Sequence, residues 1–164
     1  MVKQEVSLFV SYAHANKKAA SKFLDMFKEK TSAAKLFRYN YWDDSDLNIG
    51  KQWDESIQNA IQRCDFGLLL VSPAFLSSQY VTEKELPHYL DRDGKRCFPV
   101  MLAPVDFKRH DLKGLESLQI FRLDSENFQK PRAFTECKGQ RKEDFVMELF
   151  AQVYDWLEEN KKDF

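Results

Sequence analysis

The stretch Asp65–Leu90, DFGLLLVSPAFLSSQYVTEKELPHYL, decides how this chain is read. Its apolar run, Phe66 to Val71, has the length of a strand and no polar alternation, and it is bounded by Asp65 and by Ser72-Pro73. A short continuous apolar run fits a strand buried on both faces, the kind found in the parallel sheets of α/β proteins. Those sheets place ligands at the carboxyl ends of their strands. Ser72, Pro73, Phe75, Ser77 and the glutamates of a predicted helix from Tyr80 to Leu90 would then line such a site.

The segments around this stretch alternate in the same sense. Val6–Tyr12 (VSLFVSY) is a first strand, and Asn16 is the expected N-cap of a helix from about Lys17 to Ala33. Ala20, Phe23, Phe27 and Ala34 mark its buried face. Leu36–Trp42 reads as a second strand and Asp43–Gly50 as a polar loop. Trp53, Ile57, Ala60, Ile61 and Cys64 then define one face of a second helix. Beyond Leu90, Asp91–Gly94 is a stop signal. Arg96–Ala103 is a fourth strand with a bulge or offset expected at Pro99, which lacks an N–H. Leu118–Leu123 is a short fifth strand, and Phe145, Leu149, Val153 and Trp156 define a last helix. The alternation predicts a flavodoxin-like, three-layer α/β fold: a five-stranded parallel sheet of order 2-1-3-4-5 with helices on both faces. A length of 164 residues suits a single domain over 1–164.

Composition removes several function classes. A formal net charge of −1 supplies no global field toward nucleic acid or an anionic membrane. No run reaches the roughly 18 apolar residues of a membrane helix, and no signal-peptide pattern opens the sequence. Three widely spaced cysteines argue against a disulfide framework or a zinc site and suit a reducing compartment, so a cytoplasmic protein is expected.

In the predicted strand order the first and third strands enclose the switch point. Their ends bring Ser11-Tyr12 and Ser72-Pro73 together, and the adjoining loops add His14, Trp42, Asp43 and Phe75. No G-x-G-x-x-G or G-x-x-x-x-G-K-[ST] is present, and neither strand ends in Asp. Dinucleotide dehydrogenases, P-loop nucleotidases and phosphoacceptor domains are thereby set aside. No Ser/His/Asp order or Cys/His pair supports a hydrolase triad, and Asp43, Asp44 and Asp46 do not have calcium-loop spacing. Glu85 shares a helix face with Val81 and Tyr89. A carboxylate there needs a partner or a raised pKa, and either arrangement serves acid/base work or stabilises positive charge. Thr82-x-x-Glu85 equally fits a capping box. Glu83 reads as a solvated first-turn charge. Pro87 requires the helix to start late or bend. His14 is either a general base or a surface loop residue, and Trp42 either contacts a ligand or belongs to the core.

Taken together, Leu8-Phe9-Val10-Ser11-Tyr12-Ala13-His14, the run from Trp42 to Lys51, and Leu69–Ser78 leading into Lys84-Glu85-Leu86 resemble a bacterial TIR (Toll/interleukin-1 receptor) domain over essentially the whole chain. The resemblance implies one of two roles. One is an NAD+ glycohydrolase that cleaves the nicotinamide–ribose bond, is active on self-association, and serves antiphage defence or acts as an effector. The other is a non-catalytic TIR–TIR signalling module, including a host-mimicking virulence factor. In the enzymatic reading Glu85 is catalytic, engaging the ribose hydroxyls and stabilising an oxocarbenium-like transition state. Ser11 and Tyr12 match the first-strand positions that line the pocket, Asp43 the acidic residue that opens the BB loop (Asp43 to Gly50) and Ser72 the serine that ends the third strand; with Trp42 and Phe75 they are the substrate-binding candidates. Asp46, Leu47, Asn48, Ile49 and Gly50 belong to the BB loop, through which the family self-associates. NAD+ is then a substrate, with no cofactor or metal and no nucleic-acid or membrane partner. Tyr80-Val81 stands where many enzymatic members carry Trp-Cys.

Overall fold

The computed structural model describes residues 2–43 and 53–160. Its parallel sheet has four strands in the order 2-1-3-4: β1 (Gln4–Ser11), β2 (Phe37–Trp42), β3 (Phe66–Val71) and β4 (Arg96–Met101). The helices are α1 (Lys17–Ser32), α2 (Trp53–Arg63), α3 (Pro73–Ser77), α4 (Pro87–Leu90) and α5 (Gln140–Asn160). All six residues of β3 are buried, as its unbroken apolar run requires. β1 and β4 flank it on either side with Leu8 opposite Phe66 and Arg96 opposite Phe66. Asp65 aligns the start of this pairing: its N–H donates to the Ser7 carbonyl at 2.8 Å and its carboxylate accepts from the Ser7 N–H at 2.8 Å.

Side chains alternate across the sheet with period two, so each strand feeds two cores. Val6, Leu8, Val10, Phe66, Leu68 and Leu70 face α1 and α5, meeting Phe23, Phe27, Phe145, Leu149 and Val153. Phe9, Leu69 and Val71 face the other way, onto Ile57, Ala60 and Ile61 of α2 and onto Phe75, Val81, Leu86 and Tyr89. Ser11 falls on this second face by the same alternation, two residues beyond Phe9. Of the expected helix faces, Ala20, Phe23, Phe27 and Ala34, Ile57, Ala60, Ile61 and Cys64, and Phe145, Leu149 and Val153 are buried, and Trp156 is partly buried.

Four sequence expectations are corrected. Leu118–Leu123 does not form a fifth strand. It meets the sheet through one parallel bridge, Phe121 to Val100, with Phe121 N–H donating to Pro99 O at 2.8 Å and Met101 N–H to Phe121 O at 2.9 Å. The next ladder bond would need an N–H from Pro99, which has none. The same proline does not bulge β4: it pairs in regular register with Leu69, because its missing N–H faces away from β3. Asn16 does not cap α1 with its side chain. Finally, the predicted helix Tyr80–Leu90 is not regular. Val81–Glu85 forms a π turn, closed by Leu86 N–H to Val81 O at 2.9 Å, and α4 follows.

Tyr89 fills the groove over Gly67. A Cβ placed on Gly67 would lie 2.5 Å from the Tyr89 ring, and the Tyr89 hydroxyl is buried with no hydrogen-bond partner. Gly67→Ala is therefore expected to destabilise the fold by about 1–3 kcal/mol through overpacking. Tyr89→Phe, which removes an unsatisfied hydroxyl, is expected to be neutral or to stabilise by about 1 kcal/mol. Urea denaturation of the two variants checks both signs.

Candidate functional site

The carboxyl end of β1 opens onto a cavity of about 340 Å³, with Ala74 and Ser77 of α3, the helix that follows β3, also on its wall. Its wall includes Ser11, Tyr12 and His14 from the end of β1, Ile57 from α2, Ser78 and Tyr80 from the segment after α3, and Glu85. This is the switch point of the sheet, where β1 has β2 on one side and β3 on the other.

Glu85 is a buried carboxylate, only 7% exposed. Its Oε1 accepts from the Ser11 hydroxyl at 2.8 Å, across 74 residues of sequence. Thr82 is not an N-cap: its hydroxyl donates to Ser78 O at 2.9 Å, and the Ser78 side chain accepts from Val81 N–H at 3.3 Å. Ser78 thus caps the segment and Glu85 lies a turn deeper, so the capping-box alternative is not what the fold uses. The π turn adds one residue to the turn and rotates Glu85 inward, which suits a feature found often at functional sites. Glu83 is exposed and its carboxylate accepts from Gln79 at 3.0 Å.

The other expected site residues divide into two groups. Ser11 and Tyr12 line the cavity with Glu85, and His14 lies beside them with its ring 6.3 Å from that of Tyr12. Ser72 and Phe75 are fully buried and do not line it. The Ser72 hydroxyl accepts from Phe75 N–H at 3.0 Å, capping α3, and donates to Asn16 Oδ1 at 2.6 Å. That bond ties the end of β3 to the start of α1 and explains why Asn16 does not cap its own helix. Trp42 is 40% exposed and Asp43 half-buried at the end of β2, on the far side of β1 from β3, and neither lines the cavity. The expected BB-loop positions Asp46, Leu47, Asn48, Ile49 and Gly50 lie outside the described residues.

Sequence reasoning did not single out Tyr80 and Ser78 as cavity walls or Asn16 as the partner of Ser72. Tyr80 occupies the aromatic position preceding the glutamate, which was the available signal. Nucleophilic cysteine chemistry has no support here: Cys64, Cys97 and Cys137 are all buried, and burial pushes the Cys64 and Cys97 thiols up to about 12. No cluster of potential metal ligands occurs among the described residues, and no helix among them is long and apolar enough to cross a membrane.

A family model of the TIR domain matches residues 8–134. The match covers most of the chain, and the chain belongs to the TIR-domain family. No curated protein sequence matches it.

The Ser11–Glu85 bond joins a hydroxyl to a buried carboxylate, so its coupling should exceed that of a neutral pair. A double-mutant cycle of Ser11→Ala and Glu85→Ala, read by chemical denaturation, is expected to give an interaction free energy of roughly 1.5–3 kcal/mol.

Proposed function

We propose that this TIR domain is an NAD+ glycohydrolase that breaks the nicotinamide–ribose bond, with Glu85 as the catalytic residue. The observation that supports this reading is the buried Glu85 carboxylate, oriented by Ser11 on the wall of a cavity at the sheet's switch point. Nicotinamide is attached to ribose through a positively charged ring nitrogen. As the bond breaks, its electron pair passes to that nitrogen and nicotinamide leaves neutral, while positive charge moves onto the ribosyl carbon and ring oxygen. A fixed carboxylate beside the ribose opposes that charge without reorganising. Water then adds to the ribosyl carbon and loses a proton, giving ADP-ribose. Attack by a nitrogen of the substrate's own adenine instead gives a cyclic isomer.

The cavity is at the lower end of the ~300–1,000 Å³ range of small-molecule sites. It accommodates the nicotinamide nucleoside end rather than a whole dinucleotide. Tyr80 and Tyr12 offer aromatic faces to the pyridinium ring. The remainder of NAD+ would extend toward the ends of β1 and β2, and a neighbouring copy's BB loop would complete the site, making activity dependent on self-association.

The test is NAD+ consumption by the purified chain, free and clustered on beads. Clustering is expected to produce turnover that Glu85→Ala lowers by at least about 100-fold, whereas the exposed Glu83→Ala changes it by less than about twofold. Absence of turnover in the clustered wild type overturns the enzymatic reading and leaves a TIR–TIR interaction module.

A further inference from the structure

Pro87 withholds the N–H that a regular helix would direct at the Glu83 carbonyl, and its ring crowds that carbonyl. The π turn Val81–Glu85 relieves the conflict, and side chains of α2 hold it and the following α4 by three hydrogen bonds, one to the turn and two to His88 of α4. Gln58 Nε2 donates to the Lys84 carbonyl at 2.9 Å. His88 Nε2 is bonded to Gln58 Oε1, and Gln62 Nε2 meets His88 Nδ1 at 2.6 Å.

The donor and acceptor roles in this set follow from one group. A carbonyl only accepts, so the Gln58 amide nitrogen must face Lys84 and its oxygen must face His88. His88 Nε2 therefore carries a proton, and with the Gln62 amide nitrogen facing it, Nδ1 accepts. This is one tautomer of the neutral ring. Burial lowers the His88 pKa from its ordinary value, with Asp91 opposing and Lys95 adding to the shift. Gln58 bridges the histidine and the turn at a partly solvent-exposed edge of the molecule. Ile57, the residue before Gln58, is itself a wall of the Glu85 cavity.

We infer that Gln58 and His88 are positioning residues: they clamp the π turn to α2 and thereby set where the Glu85 carboxylate meets Ser11. The inference rests on Glu85 being the working residue of the cavity, and it assigns control of that residue to α2. The clamp acts through the backbone of Lys84, not by touching a ligand.

Two substitutions separate the clamp from simple packing. Gln58→Glu is isosteric and keeps the acceptor for His88 but loses the donor to Lys84. Gln58→Leu loses both. Amide exchange at Leu86, whose N–H closes the π turn, is expected to accelerate about tenfold in both variants. The α5 amides from Phe145 to Val153 should keep their wild-type rates, showing that the fold is intact. Imidazole 15N spectra should show His88 protonated at Nε2 in the wild type and a mixture of tautomers in Gln58→Leu. In Gln58→Glu the new carboxylate should raise the histidine's pKa. In the clustered NAD+ assay both variants should lower kcat about tenfold with KM little changed. Unchanged Leu86 exchange in Gln58→Glu overturns the clamp, whatever the turnover. Faster exchange in a chain that never consumes NAD+ supports the clamp and removes the enzymatic reading instead.

Discussion

β3 sees no water on either face, and most of the architecture follows from that. A strand without solvent must find backbone partners on both edges, and β1 and β4 supply them in parallel register. It must also be covered on both faces, which divides the apolar residues of the chain between an α1/α5 layer and an α2/α3/α4 layer. Burial of a strand such as this is worth on the order of 1.5–3 kcal/mol for each large aliphatic side chain, so the six buried residues of β3 together outweigh any one of its hydrogen bonds. The polar site is tolerated because it sits where this strand ends, at the one place in the sheet where neighbouring connections diverge.

The site obeys a stricter condition. A carboxylate taken out of water needs donors, and Glu85 receives one from Ser11 at 2.8 Å. Alternation along β1 aims Ser11 at the same face as Phe9, so the hydroxyl emerges under the helical segment rather than under α1. A π turn then brings Glu85 over it. Pro87, which cannot serve a regular helix at its position, makes the wider turn the low-energy solution. A local backbone defect thus places the one buried acid of the described residues. Ser72 and Asn16 hold the other side of the switch point by a hydroxyl–amide bond at 2.6 Å. They frame the cavity without entering it, which is why a serine and a phenylalanine expected at the ligand are found in the supporting structure.

Strand and helix periodicity made the fold legible. Phe66–Val71, the Phe23/Phe27 spacing and the Ile57/Ala60/Ile61 face each name their element and their buried side without reference to anything distant. The site was legible in part. Glu85, Ser11 and Tyr12 converge as expected, because strand ends and a following helix must meet at the switch point. The roles of Thr82, Ser72 and Phe75 were not legible. Hydroxyls and rings near a crevice look alike in sequence whether they point into it or away. The fifth strand failed for a related reason: its own residues are adequate, but its partner offers Pro99 where a donor is required.

The sequence by itself determined the layers, the parallel pairing, the identity of the buried faces and the position of the acid along the chain. These depend on interactions between residues a few positions apart, repeated with a fixed period. Only the tertiary structure decided that Glu85 faces Ser11 instead of its own helix start, that Pro87 is absorbed by a π turn, and that Gln58 and His88 fasten that turn to α2. Each of these is a choice among hydrogen-bond partners separated by tens of residues. Such choices turn on distances of a few tenths of an ångström that no local pattern encodes.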